Sequence, residues 1–335
     1  MRVGIVGAGT MGTAHAEGWC ATDATLVGIV ANDAAAAARL ASSWGAAVYV
    51  SLDAMLADVD VVDLCVPSDL HRPMTEQAAA AGKHVVCEKP MALNVQDAQA
   101  MIDACERAGV RLFIAHVLRF FPEYRSAADL VRNGAIGAPG VLRLKRVAYP
   151  PHAGVASWFS DERRSGGVVF DLMIHDLDYA RLVGGPVERV YAKAIPTSDA
   201  APFTGTARSY VLATLRFESG AIALVEGGWA YPSGTFRTGF DLAGSDGVLE
   251  WSSDDTATIR SFLPAEDASA ASVGLPRTGA AESAYTRELR HVHHALAHDA
   301  PFEVQAEEAL EAVRLAAAVR RSLDEDRPVT VREVG

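Results

Sequence analysis

The chain is poor in cysteine. Its four, Cys20, Cys65, Cys87 and Cys105, are spread over 335 residues and no two form a C-x-x-C pair. That spacing offers neither a disulfide framework nor a zinc site. Cys65 and Cys87, set in or beside apolar runs, are expected to be buried thiols. Basic residues are also scarce: 30 Lys and Arg against 42 Asp and Glu leave a net charge of −12. A surface of that sign argues against nucleic acid and anionic membranes as partners. It does not exclude an anionic cofactor, because a glycine-rich loop at a helix N-terminus binds phosphate without net positive charge. No uninterrupted apolar run reaches the roughly 20 residues that span a bilayer. A strand starts at once, with no charged segment, apolar core and cleavage site before it, so a cytoplasmic location is expected. What the chain does have is hydrophobic residues, 50% of the total. It is therefore globular, and long enough for two domains with real cores.

The first part alternates short apolar strands with helices. Strands are predicted at Val3–Val6, Leu26–Ala31, Val48–Val50, Val61–Val66, Val85–Cys87 and Arg111–Ala115, and glycines such as Gly45, Gly82 and Gly109 stop the intervening helices. Buried-type strands in this rhythm mean a parallel, doubly wound sheet. After about Pro122 the strands lengthen and several alternate apolar and polar residues. That pattern suits an antiparallel sheet with one face covered. One helix interrupts it, from about Gly167 to Val183, two more close the chain, and residues 264–281 read as an exposed loop. The expected division is a dinucleotide-binding domain over 1–122 and a substrate-binding and oligomerisation domain over 123–335.

Four motifs carry chemistry. GIVGAGTMG places Gly7, Gly9 and Gly12 directly after the first strand and before a helix, with Thr10 and Met11 between. Gly7 allows the tight turn, Gly9 lets a pyrophosphate approach the backbone, and Gly12 lets the helix pack on the sheet. At the end of the second strand, where an acid reads the ribose of NAD, the chain has Ala31, Asn32 and Asp33. Asp33 is one or two positions late and is equally an N-cap for the next helix; Asn32 is the other candidate for the ribose. No arginine adjoins to hold a 2′-phosphate, so NAD is favoured and NADP left open. Pro67, Ser68 and His71 lie just past the fourth strand on the cofactor's expected path. For His71 the plainer reading, a helix-start residue facing water, is preferred. CEKPMALN puts Glu88, Lys89 and Pro90 at the end of the fifth strand. A lysine there can stabilise alkoxide charge developing on a substrate oxygen, and Glu88 can orient it.

DLMIHDLD spaces Asp171 and His175 i, i+4, on one helical face. Histidine titrates near neutrality and can move the alcohol proton in a hydride transfer, with Asp171 fixing the substrate hydroxyl or tuning the ring. A zinc site on the pair would need further clustered ligands, and none stands nearby. His116 and Arg119 are open between nicotinamide contact and hinge packing. The run of His291, His293, His294 and His298 reads as a surface or interface helix. His152, Trp158, Arg163, Arg164, Tyr231 and Arg237 are candidates for substrate specificity.

The glycine loop, CEKPMALN, RFFPEYR and DLMIHDLD together resemble the glucose–fructose oxidoreductase, inositol dehydrogenase and MocA (Gfo/Idh/MocA) family, and the similarity runs nearly end to end, through RSLDEDRPVTV. The resemblance implies an α/β architecture: an N-terminal doubly wound Rossmann domain and a C-terminal α/β domain with an open, mostly antiparallel sheet. It implies a pyridine nucleotide between them, a homodimer or homotetramer built on the sheets, and a frequently cis bond at Lys89–Pro90. It assigns a catalytic triplet to Lys89, Asp171 and His175, with His175 as acid/base. The expected function is an NAD(P)-dependent dehydrogenase acting on a secondary hydroxyl of a cyclic polyol or sugar. The alternatives are a redox-neutral glycosidase using bound NAD, or a nucleotide-binding regulator without catalysis.

Overall fold

Apolar, β-branched segments alternating with alanine-rich ones form strand–helix units through the first 115 residues. The computed structural model describes residues 1–149, 158–196, 208–232, 234–254 and 282–335. The units are β1 (Arg2–Val6), α1 (Thr10–Cys20), β2 (Thr25–Val30), α2 (Ala34–Trp44), β3 (Ala47–Val48), α3 (Leu52–Leu56), β4 (Val61–Leu64), α4 (His71–Ala80), β5 (His84–Glu88), α5 (Val95–Ala108) and β6 (Leu112–Ala115). All six strands run parallel in the order β3-β2-β1-β4-β5-β6. That is the strand order of a doubly wound dinucleotide fold. β4 and β6 are buried at every position, which is why they read as continuous runs rather than alternating ones. The predicted strand over Val61–Val66 stops at Leu64, and the one over Val48–Val50 becomes Ala47–Val48, an edge strand whose residues are exposed. Helix ends follow the predicted chemistry. Ser51 and Asn94 accept backbone N–H bonds as N-caps, and Gly45 and Gly109 take the left-handed C-cap conformation.

The chain continues with α6 (Pro122–Arg132), β7 (Pro139–Ala148), the one-turn α7 (Glu162–Ser165), a π-turn over Val169–Met173, α8 (Ile174–Gly184), β8 (Val187–Pro196), β9 (Arg208–Phe217), β10 (Ile222–Gly228), β11 (Phe236–Gly244) and β12 (Val248–Ser252). It closes with α9 (Ala284–Ala297), α10 (Ala306–Glu325) and β13 (Val329–Thr330). The second sheet runs β12-β11-β7-β10-β9-β8-β13 and is antiparallel except for the β7–β10 pair. Its alternation is clean. Val190, Ala192, Val211, Ala213, Ala223 and Val225 point into the core, while Tyr191, Ile195, Leu212 and Ile222 stand exposed on the other face. The residues read as the 264–281 loop lie outside the described residues.

Two compact units result, and each is described by itself. The first takes residues 1–121 and, of the later described residues, 282–310; the second takes 122–254 and 311–335. The linear split had assigned the whole of 123–335 to the second domain. In the structure α9 returns to the first unit, because its buried stripe of Tyr285, Leu289, Val292 and Ala295 needs an apolar partner and α1 supplies one. Gly18 makes the fit: a Cβ there would lie 2.7 Å from Leu289 Cδ1. Arg111 secures the far end, donating to the Ala295 and Ala300 carbonyls at 2.8 and 2.6 Å and stacking on Phe302. Among the described residues no helix is long and apolar enough to cross a membrane.

Candidate active site

The glycine turn has the form a pyrophosphate needs. Gly7 has φ +112° and a Cβ there would lie 2.1 Å from the Cys65 carbonyl oxygen; one on Gly12 would lie 2.0 Å from the Gly7 carbonyl oxygen. Both positions therefore exclude any side chain. Gly9 is the opposite case: a Cβ there meets nothing within 4 Å. Its glycine answers to no neighbour in the protein, which fits an outside ligand taking that space. Gly9 caps α1 without a side-chain hydrogen bond, and the first turn, with exposed Thr10 and half-buried Met11, carries no acid. The free N–H groups of that turn and the helix dipole suit a phosphate.

The ribose-reading position resolves more clearly than the sequence allowed. Asp33 is the N-cap of α2, and its Oδ1 accepts from Ala35 N and Ala36 N at 2.9 and 3.0 Å. Asn32 and Asp33 are both exposed at the end of β2. Pro67 is extended, and Ser68, buried, opens a short turn. His71 does not face water as expected. It is 1% exposed, with Nδ1 2.8 Å from the Pro90 carbonyl oxygen and Nε2 3.0 Å from that of Val66. Burial pulls the ring's pKa below its ordinary value, while the two carbonyls pull it the other way. His71 ties the turn after β4 to the turn after β5.

The Lys89–Pro90 peptide is cis. Lys89 is half-buried at the end of β5, and its backbone N–H donates to Glu88 Oε2 at 3.0 Å. The orienting role expected of Glu88 thus acts on the lysine's main chain. Behind it lies a polar cluster with no local sequence signature. His15, wholly buried on α1, places Nδ1 2.9 Å from Asp63 Oδ2 and Nε2 3.0 Å from Glu88 Oε1. Trp19 Nε1 donates to Asp63 at 2.6 Å. Burial alone would lower the His15 pKa, but the Asp63 carboxylate outweighs it and holds the ring well above its ordinary range. Burial likewise pushes the Glu88 carboxyl up, and the His15 hydrogen bond and charge, with Lys89, bring it below the usual value. His15, Asp63 and Cys65 bring ligand atoms within 4.8 Å of one another. A metal would need an imidazole lone pair, and both His15 nitrogens donate to carboxylates, so the set is suited to a proton and not to an ion.

In the second unit the helix predicted from Gly167 to Val183 begins as the π-turn over Val169–Met173 and becomes α-helical at Ile174. Gly227 permits its seat on β10, since a Cβ there would lie 2.0 Å from Met173 Cγ. From Ser165 to Ala180 every residue is buried except Asp171 and His175. The two side chains singled out by spacing are the two that reach the surface of an otherwise enclosed helix. The next residue, Asp176, is fully buried and takes Arg146 Nε of β7 at 2.6 Å. Burial nevertheless lifts the Asp176 carboxyl above its ordinary value. This pair fixes the first turn of α8, on which His175 sits.

The remaining candidates have these surroundings where they are described. His116 is wholly buried, and Arg119 is 4% exposed and donates to Glu308 at 2.7 Å and to the Glu303 carbonyl at 3.2 Å, within the first unit. His291 accepts the Glu303 N–H, and His298 donates to the His294 carbonyl of its own helix. Trp158 stacks on Phe159, Arg163 pairs with Asp161, and Arg237 pairs with Asp254 beside Tyr231. His152 lies outside the described residues.

The fold and these sites define an oxidoreductase. Residues 1–116 match the GFO_IDH_MocA oxidoreductase family with its NAD-binding Rossmann fold, residues 124–250 match the GFO/IDH/MocA C-terminal domain, and the chain belongs to that family. Among particular proteins, it is 34% identical to the 1,5-anhydro-D-fructose reductase of Ensifer adhaerens over 74% of each chain. It is 29% identical to the myo-inositol 2-dehydrogenase of Thermotoga maritima over 100% of this chain and 99% of that one. The solved structure of GenD2 from gentamicin A biosynthesis, in complex with NAD, superposes with a TM-score of 0.84 at 25% identity, covering 98% of this chain and 96% of that one.

Proposed function

We propose that the protein is an NAD-dependent dehydrogenase of cyclic polyols or sugars, oxidising a secondary hydroxyl to a ketone, with Lys89, Asp171 and His175 as its catalytic residues. The observation that carries this reading is the exposure pattern of residues 165–180, where only Asp171 and His175 are not buried. Gly7, Gly9, Thr10, Met11 and Gly12 would hold the pyrophosphate, with Asn32 and Asp33 near the ribose and Pro67 and Ser68 along the nucleotide. Bound NAD supplies the hydride acceptor. His175 takes the proton of the reacting hydroxyl, the Lys89 ammonium donates to that oxygen as charge builds on it, and Asp171 accepts from a neighbouring hydroxyl of the substrate. The names of the relatives, a reductase of an anhydro sugar and an inositol dehydrogenase, support this substrate class.

We also propose that the chain works in the cytoplasm as a homodimer or homotetramer built on the open sheet. The exposed Tyr191, Ile195, Leu212 and Ile222 give that sheet an apolar outer face. Mass determination in solution tests the assembly.

The test of function follows absorbance at 340 nm with NAD and then NADP, against inositols, aldoses and 1,5-anhydro sugars. Reduction with NAD is expected, reduced at least about 100-fold in kcat by His175→Ala, the usual worth of a general base. Silence across the panel, with nucleotide that stays bound through purification, would replace this reading with a redox-neutral one.

A further inference from the structure

The buried cluster behind Lys89 has no part in the chemistry above, yet it is built with care. Four donors and acceptors close on one another: Trp19 and His15 on α1, Asp63 on β4 and Glu88 on β5, all buried. A charge placed there is costly unless paired and hydrogen-bonded. Each one is. Asp63 receives Trp19 and His15, and Glu88 receives His15 on one oxygen and the Lys89 backbone N–H on the other. The chain of contacts therefore runs from the helix that starts at the glycine loop to the peptide that carries Lys89.

We infer that His15 is a positioning residue for Lys89: by bridging Asp63 and Glu88 it fixes the Glu88 carboxylate, which in turn fixes the lysine's backbone relative to the dinucleotide loop. The inference rests on the catalytic role proposed for Lys89. It gives α1 a second task. Its N-terminus faces the pyrophosphate, and one turn later it sets the position of the residue that meets the substrate. Two further titratable groups face the cluster from packed elements: Cys65, whose thiol donates to Asp63 Oδ1 at 3.6 Å, and Glu288 of α9. Burial pushes the Cys65 thiol up, and burial with the neighbouring acids pushes the Glu288 carboxyl well above the usual range.

The first test needs no substrate. Hydrogen exchange of the protein without ligand reads the Lys89 amide through a peptide covering residues 85–94. In His15→Gln, which can reach only one of the two carboxylates, exchange at Lys89 is expected to quicken about tenfold, the loss of one charge-assisted hydrogen bond, with β6 unchanged. The second test is a double-mutant cycle on turnover. His15→Gln is expected to lower kcat about 10- to 100-fold in the wild-type background while leaving NAD affinity unchanged. In the Lys89→Ala background it should cost nothing further, because its effect passes through the lysine. Glu88→Gln is the parallel variant, and the same silence in Lys89→Ala is expected of it. Equal losses in both backgrounds, or exchange that quickens throughout the sheet, would make His15 a general stability residue and overturn the inference. A Lys89→Ala enzyme as fast as wild type would remove the role proposed for the lysine itself, and this inference with it.

Discussion

Glu288→Gln should make the protein more stable at neutral pH and leave it unchanged in acid. Glu288 is fully buried, and among the described residues neither carboxylate oxygen has a hydrogen-bond partner. Burial is the main reason its pKa lies well above the ordinary 4.5; Glu88 and Asp63 push the same way, and His15 opposes them. The unfolded chain ionises this group near pH 4.3, whereas the fold holds its proton to higher pH, at a cost of about 1.4 kcal/mol for each pH unit above the unfolded value. A raised folded-state pKa means the group's contribution to stability is complete below the unfolded value and is lost as pH rises through the folded one. Glutamine has the same shape and no proton to hold. The gain from Glu288→Gln should therefore be close to zero at pH 4 and grow by about 1.4 kcal/mol per pH unit until the pH passes the raised folded-state value, a rise of several degrees in melting temperature. Thermal unfolding of both proteins at pH 4.5, 6 and 8, followed by circular dichroism, measures it. A variant less stable than wild type at pH 8, or a difference that does not change with pH, would refute the reasoning. It would mean that Glu288 is ionised in the fold and serves as a further counter-ion to His15.

Three other substitutions probe the two units separately. Gly9→Ala meets open space, so its melting temperature should stay within a degree or two while NAD affinity, read by nucleotide fluorescence, falls at least about tenfold because the methyl occupies the pyrophosphate's approach. Gly12→Ala, whose Cβ would lie 2.0 Å from a carbonyl oxygen, should lose stability as well as affinity. Arg146→Met strands the buried Asp176 carboxylate, and the second unit should lose about 3–5 kcal/mol at pH 7, much of it recovered in acid as Asp176 takes a proton. Urea unfolding at pH 7 and pH 4 reads both values.

The parts of the fold that the sequence announced are those governed by neighbours along the chain. The strand–turn–helix at Gly7–Gly12, the caps at Ser51, Asn94, Gly45 and Gly109, and the period-2 faces of β8 and β9 each depend on residues a few positions apart. The Asp171/His175 pair was legible for the same reason, although the π-turn beneath Asp171 was not: nothing in VFDLM marks a departure from α-helical hydrogen bonding. The misread parts depend on distant partners. His71 looked like a wet helix start, and only the carbonyls of Val66 and Pro90, brought round by two strands, show why it is enclosed. The His15–Asp63–Glu88 cluster joins residues 48 and 73 positions apart, and a histidine within an alanine-rich helix gives no sign of the acids it will meet. The return of α9 belongs to the same class, since its stripe says that it must be covered but not by what.

That return also sets a schedule for the chain as it is made. The first sheet is fully synthesised by residue 115, yet the helix that covers α1 begins only at residue 284. At about 5–20 residues per second a ribosome needs on the order of 10 to 30 s to cross that interval. Throughout it the apolar face around Gly18 and Trp19 waits without Leu289 and Val292. The nucleotide-binding unit is thus begun first and completed late, after most of the second unit has been made, and the second unit is finished last by residues 311–335. No single cut in the gene releases the nucleotide-binding unit whole; a version that stands alone would need α9 fused back behind β6.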